Sequence, residues 1–378
     1  NFTYFLDDAD QGDEFNQREE RTVVGLNARH AQELRALGRA HQLTVGLQTR
    51  ADVIEGLGLY RTVDRARTGT VRRDDVTQWG TGLVASLQTT WTPRLRSTVG
   101  LRGDAYLFDV TSDLAANSGR RSAGIVSPKA SLAYAPSPAV ELYLGGGFGF
   151  HSNDARGTTI TVDPVTGDPA APVDPLVRSR GAEAGVRATP LAGWRSTLTV
   201  WALELDSELL FVGDGGITEP SFRSRRRGIT WTNDYRPIPL LAFDLDISLA
   251  RARFTGVPAD ETHVPGALEN VVSAGVTWQS PVRGLVGAVR VRHLGSYALV
   301  ETNAARATPT TLLNAEVGCT LAGVRLQVGV LNVLDRRASD IQYYYASRLP
   351  GEAPGGVEDV HFHPVEPRQL RVTLGWGL

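Results

Sequence analysis

Leu241, Phe243, Leu245, Ile247 and Leu249 alternate along one stretch with Ala242, Asp244, Asp246 and Ser248. A period of two predicts a β-strand, not a helix. Two aspartates on the second face make a dry core too costly there, so that face is expected to be wet. The same alternation returns along the chain. Val289 and Val291 oppose Arg290 and Arg292, and Leu313, Ala315, Val317, Cys319 and Leu321 oppose Asn314, Glu316 and Thr320. Val99, Leu101 and Ala105 oppose Arg102 and Asp104. The chain closes on Leu370, Val372, Leu374, Trp376 and Leu378 set against Arg371, Thr373, Gly375 and Gly377.

These runs predict roughly sixteen strands, each near the length that crosses a bilayer at a tilt. Their connections alternate. Short links fall at Leu37–Arg39, Pro93, 136–139, 190–193, 236–240, 280–283 and 322–323, and longer ones at 7–19, 53–75, 111–124, 153–176, 213–224, 255–267, 298–310 and 336–367. Short turns on one side and long loops on the other describe an all-β, transmembrane antiparallel β-barrel. Its apolar face would meet lipid, which answers why the last strand needs no second protein layer. Its polar face, with Asp104, Asp244, Asp246, Arg290, Arg292 and Glu316, would line the lumen. Trp79, Trp91, Trp194, Trp231, Trp278, Tyr297 and Trp376 lie near strand ends, where interfacial girdles would place them.

Composition agrees and narrows the class. Forty glycines and twenty prolines suit a chain of many turns, and a net charge of −2 points away from nucleic acid. No apolar run reaches the roughly 18 residues of a membrane helix, which leaves barrels open. The lone Cys319 reads as packing material on an apolar face. There is no methionine, and "NFTYFL" reads like the end of a strand already under way, as in a fragment of a longer chain. No phosphate loop, nucleophile elbow or paired-cysteine metal site is present, so neither an enzyme nor a cofactor is expected.

Two clusters at loop edges carry candidate chemistry. His151, Ser152, Asn153, Asp154 and Arg156 follow one another where a strand enters the loop at 153–176. The last loop holds Tyr343, Tyr344, Tyr345, Arg348, Glu352, His361 and His363. Both fall at the long-loop end, where they could converge over the barrel mouth. Tyrosine offers stacking area with a polar tip, and histidine a metal ligand or a pH-sensitive donor. His-x-His without a third ligand at a recognised spacing reads more readily as loop structure than as a metal site. Arg225, Arg226 and Arg227 read as a solvated edge or a lipid-headgroup contact.

The C-terminal third carries a resemblance. "VGVLNVLDRRASDI", with Asn332, Val333, Leu334 and Asp335, resembles the penultimate-strand motif of TonB-dependent outer-membrane receptors. "EPRQLRVTLGWGL" resembles their closing strand, although the chain ends in Leu378, not in an aromatic residue. The resemblance spans most of the chain. It implies that residues 1–378 are the C-terminal part of a barrel of about twenty-two strands, with the globular plug domain outside this chain. It also implies a Gram-negative outer membrane, with long loops extracellular and the C-terminus periplasmic. The implied function is energised uptake of a scarce solute such as a ferric siderophore or other metal chelate. The implied partners are outer-membrane lipid, the TonB complex acting through the plug, the barrel-assembly machinery acting through the closing strand, and the solute. His151, Asn153, Asp154, Arg156, Tyr344, Arg348, His361 and His363 are the expected capture residues. A sixteen-stranded passive diffusion pore is the alternative, because the strand count fits it directly. A barrel anchoring an adhesin or an enzyme is a third.

Overall fold

The computed structural model describes residues 2–6, 15–164, 166–212, 217–282, 284–347, 351–353 and 356–376. Its strands are β1 (Phe2–Leu6), β2 (Phe15–Ala36), β3 (Arg39–Val63), β4 (Ala66–Thr92), β5 (Leu95–Ser112), β6 (Gly119–Ser137), β7 (Val140–Ser152), β8 (Leu176–Ala188), β9 (Trp194–Leu205) and β10 (Leu209–Val212). There follow β11 (Ile217–Pro220), β12 (Ser224–Ile238), β13 (Leu241–Phe254), β14 (Asn270–Gln279), β15 (Val286–Leu294), β16 (Thr310–Leu321), β17 (Val324–Leu331), β18 (Ser339–Ser347), β19 (Val357–Pro364) and β20 (Gln369–Trp376). One short helix, α1 (Ala155–Thr159), and a 3₁₀ turn at Ala115–Asn117 complete the elements.

Sixteen strands make one sheet in chain order, with β10–β11 and β18–β19 standing apart as two-stranded hairpins. Every pairing is antiparallel between neighbours. The expected strand count is met, and each expected short link is a tight connection between consecutive strands.

Alternation explains the wall. Leu83, Leu101, Leu144, Val200, Val317 and Leu374 are all exposed. Burying such a side chain is worth about 1.5–3 kcal/mol. A face this apolar and uncovered by protein is stable only where lipid replaces water. Trp79, Trp91, Trp231, Trp278 and Trp376 are exposed on the outer surface, as girdle residues must be. Tyr297 differs from expectation: it is 7% exposed and packs with Leu299 and Ala307 inside a folded loop.

The buried apolar groups gather at the long-loop end. Phe108 and Val110 pack with Ile54, Val76 and Ala155 on the inner side, and Ala252 and Phe254 pack with Val264 from the following loop. The span 53–75, expected as a loop, is sheet. β3 and β4 run on as a ladder to Val63 and Ala66 and turn through Asp64 and Arg65, at φ 51° and 63°. Two consecutive left-handed residues make a type I′ turn, whose twist matches the strands it joins. The span 213–224 likewise contains β11, which pairs with β10 just before it, and the span 336–367 contains the hairpin β18–β19.

The Asn-x-x-Asp motif closes the last excursion. Asn332 is 3% exposed and adopts φ 48°. Its Nδ2 donates to the carbonyls of Arg336 at 2.9 Å and Glu366 at 3.1 Å, and its Oδ1 accepts from the Arg336 N–H at 3.0 Å. Asp335 accepts from the Arg368 N–H at 3.0 Å. The two side chains clamp the start of the excursion to its end, so that β20 returns beside β17.

Candidate functional site

The lumenal wall is built by register. Asp244 aligns through Gly275 with Arg290 and then Asn314, and Arg290 donates to Asp244 at 3.0 Å. Glu316 accepts from Gln327 at 2.7 Å. Asp246 aligns through Ser273 with Arg292. Asp104, only 5% exposed, holds the Arg102 guanidinium, which also reaches Gln48 at 2.5 Å. Each of the six expected lining residues has an apolar residue directly beside it on its strand. Sequence reading missed Glu141 on β7, which is held at 2.6 Å both by Arg187 from the neighbouring β8 and by Arg96 from β5, one strand further on. The signal was there: Glu141 sits one step out of phase with the exposed Leu142 and Leu144, and Arg187 one step from Val186.

The first loop-edge cluster is organised around α1. Asp154 caps the helix, accepting from the Arg156 N–H at 2.8 Å and its guanidinium at 2.7 Å. Burial alone raises a carboxyl pKa, but the Arg156 charge and hydrogen bonds, helped by Arg72, hold Asp154 below the ordinary carboxylate range. Arg72 and Asp74, buried and ion-paired on β4, complete this group of four charges. Asn153 is buried, donates to the Asp174 carbonyl at 2.7 Å and lies beside His151. Asn117 was not anticipated. It is fully buried and holds the same loop through Thr161 N–H at 2.9 Å and Val162 N–H at 3.0 Å.

The second cluster is the β18–β19 hairpin. Pairing sets Tyr343 opposite His361 and Tyr344 opposite Val360. His361 stacks on Tyr345 with ring centroids 3.7 Å apart and planes 11° from parallel, and its Nε2 lies 2.6 Å from Ser347 Oγ. His363 Nδ1 lies 2.8 Å from Asp340. Tyr343 and Tyr345 are exposed on the face of His361, whereas Tyr344 turns away to pack against the Tyr297 cluster. The exposed aromatic pair is therefore Tyr343 and Tyr345, in place of the expected Tyr344. Arg348 lies outside the described residues.

Asn153, Asp154 and Arg156 gather at α1 and His361 meets Tyr345, while Tyr344 turns away; along the sheet the two clusters stand apart. β8, β9 and β12 to β16 lie between β7 and β17 in the sheet. Among the described residues, no three His, Cys, Asp or Glu side chains come close enough to hold a metal ion.

This wall and its loops have known counterparts. Residues 1–333 match the family described as TonB dependent receptor-like, beta-barrel. The chain belongs to the TonB-dependent receptor barrels. That family resides in the outer membrane and consists of receptors, not enzymes. The ferric yersiniabactin uptake receptor FyuA from Yersinia pestis shares the fold, with 17% identity, a TM-score of 0.66, and 95% of this chain aligned to 54% of that one. So does the siderophore receptor PiuA from Acinetobacter baumannii, with 11% identity, a TM-score of 0.74 and coverages of 99% and 60%. The closed form of the ferric-catecholate import receptor Fiu from E. coli K12 has 12% identity, a TM-score of 0.73 and coverages of 95% and 55%. The chain thus spans 54–60% of the length of these solved receptors. No curated protein matches it in sequence.

Proposed function

We propose that this chain is the solute-selecting barrel of a receptor that imports a scarce metal chelate, such as a ferric siderophore, with energy delivered through TonB. The observation that carries this reading is the exposed Tyr343–Tyr345–His361 face, raised on a hairpin at the mouth of an ion-lined lumen in a chain of this family. Flat aromatic and imidazole rings suit a solute with conjugated or aromatic metal-binding arms. The names of the neighbouring solved receptors, ferric yersiniabactin, ferric catecholate and siderophore, support the same class.

In this reading the long loops face the exterior and the short turns and C-terminus face the periplasm. Residues 1–378 supply barrel, a plug domain encoded with them blocks the lumen and contacts TonB, and β20 carries the assembly signal. His363, with Asp340, adds a charge-bearing edge to the aromatic face. His151, Asn153, Asp154 and Arg156 shape the opposite rim, and Arg348 belongs to the hairpin side. The lumenal carboxylates and guanidiniums, Asp244 and Arg290 among them, form the polar surface against which a plug would seat.

The test is uptake of radiolabelled iron chelates by cells that carry the full-length receptor and lack their other chelate receptors, with and without functional TonB. Uptake is expected only with TonB, and substitution of Tyr345 and His361 by alanine is expected to raise the half-saturating concentration. Uptake indifferent to TonB would instead describe a diffusion pore, an alternative that neither the family match nor the neighbours favour.

A further inference from the structure

The run Arg225–Arg226–Arg227 is divided by the pleat of β12. Arg226 points inward, where Glu208 accepts from its guanidinium at 2.5 and 2.9 Å. Arg225 and Arg227 share the outward face with Ile229 and Trp231, which are exposed to lipid. The register of β12 against β13 sets Arg227 opposite Arg251 and Arg225 opposite Arg253, with Ile229 opposite Leu249 one step below. Four arginines thus form a square on the outer wall at its long-loop end.

Directly opposed side chains on neighbouring strands lie about 5 Å apart at Cβ, and like charges placed so destabilise the pair. Arg180 and Arg223 extend the patch on either side. Against these six guanidiniums the same surface offers, among the described residues, two paired carboxylates, and both are taken. Glu204 is shared between Arg180 and Arg225, and Asp206 pairs with Arg223. Arg227 and Arg251 are exposed and, among the described residues, have no acidic partner. Scattered interfacial arginines are ordinary, since long basic side chains reach for headgroups. A square of opposed arginines with its carboxylates spent is a different arrangement: it leaves a localised positive site that no carboxylate among the described residues neutralises. The apolar rung Ile229–Leu249 begins two residues lower, about 7 Å along the strand. The arginines therefore stand at the level where acyl chains give way to headgroups.

We propose that Arg227 and Arg251, flanked by Arg225 and Arg253, form a binding site on the outer wall of the barrel for the phosphate of an anionic membrane lipid. Each guanidinium fork can engage two phosphate oxygens. One phosphate between the strands would convert the opposed pairs from a repulsive contact into a bridge.

The test uses the full-length receptor purified from outer membranes in detergent and native mass spectrometry of bound lipid. Phosphatidic acid, phosphatidylcholine with the same acyl chains and inorganic phosphate are titrated separately and in competition. Wild type is expected to hold phosphatidic acid well above phosphatidylcholine. Each basic residue near a membrane surface contributes roughly fivefold, so Arg227→Gln with Arg251→Gln is expected to bind phosphatidic acid about thirtyfold more weakly. The charge-matched pair Arg35→Gln and Arg94→Gln, at the short-turn end, should leave binding unchanged. Equal binding by the Arg227/Arg251 variant and wild type overturns the proposal, as does equal retention of the two lipids by wild type. Displacement of the lipid by millimolar inorganic phosphate would show a site for free anion, and overturns the lipid assignment. Should the double variant fail to assemble, the wild-type comparison of the two lipids decides alone.

Discussion

Replacing Asn332 by alanine tests whether the motif clamp holds the last strand in the wall. The substitution removes three hydrogen bonds, two donated by Nδ2 and one accepted by Oδ1, at a site only 3% exposed. At about 1 kcal/mol net for each bond the loss is about 3 kcal/mol. The left-handed backbone at φ 48° suits asparagine better than alanine and adds about 1 kcal/mol. The expected total is about 4 kcal/mol. Asn332→Gly relieves the backbone but not the bonds, so it should cost about 3 kcal/mol. Urea unfolding of the receptor in detergent, followed by tryptophan fluorescence and by gel mobility without heating, reads both variants. Protease cleavage within 336–368 reads the excursion itself, which opens first if its unfolding is local. The reasoning fails if alanine unfolds at the wild-type urea concentration. It also fails in its main part if glycine restores wild-type stability, because backbone strain would then account for the whole effect.

Other predictions follow from the loops and the lumen. Asp154, with its carboxyl held below the ordinary range, stabilises the 153–175 loop above that range and loses this contribution as pH falls through its depressed folded pKa. Hydrogen exchange of that loop should thus rise on acidification in wild type, and should already be high at neutral pH in Asp154→Asn. Asp104→Asn, which strands Arg102 beside a buried partner, should cost about 1–3 kcal/mol. Asp244→Asn, at an open lumenal pair, should cost under about 1 kcal/mol, and urea midpoints compare the two. Gly147→Ala would set a Cβ 2.8 Å from Lys129 Cβ and 3.0 Å from the Pro128 carbonyl, so the yield of folded barrel in the outer membrane should fall sharply.

Much of the fold was legible because the outer wall needs only period two. The β13 stretch from Leu241 to Leu249 and the final run from Leu370 to Trp376 are readable one strand at a time, and proline or glycine marks most short turns. The β3–β4 extension was not. Its turn uses Asp64 and Arg65, without the glycine or asparagine that announces a left-handed pair. The ladder also slips near Gly56, between Ile54 and Leu57, which scrambles the alternation just where the strand leaves the membrane. Above that level the inner face packs against α1 and its loop, so polar and apolar residues no longer sort by side. The candidate site was half readable. Residue types pointed to His151, His361 and the tyrosines, but which tyrosine faces outward depends on a hairpin register that no local pattern fixes. The Tyr345–His361 stack joins residues on different strands, and only the pairing of β18 with β19 brings them together.

The unequal strand lengths have a mechanical consequence. β3 and β4, with 25 and 27 residues, stay paired through three register shifts up to Val63 and Ala66, whereas β15 has 9 and gives way to a loop folded on a small apolar cluster. Bending the tall flank means breaking cross-strand hydrogen bonds in series, while the hairpin and loops opposite can pivot on their few attachment points. Under the uptake proposed above, any closure over a solute would be carried by the low flank moving against a stiff backstop. Amide protons at the top of β3 should outlast those of β18 and β19 by a wide margin.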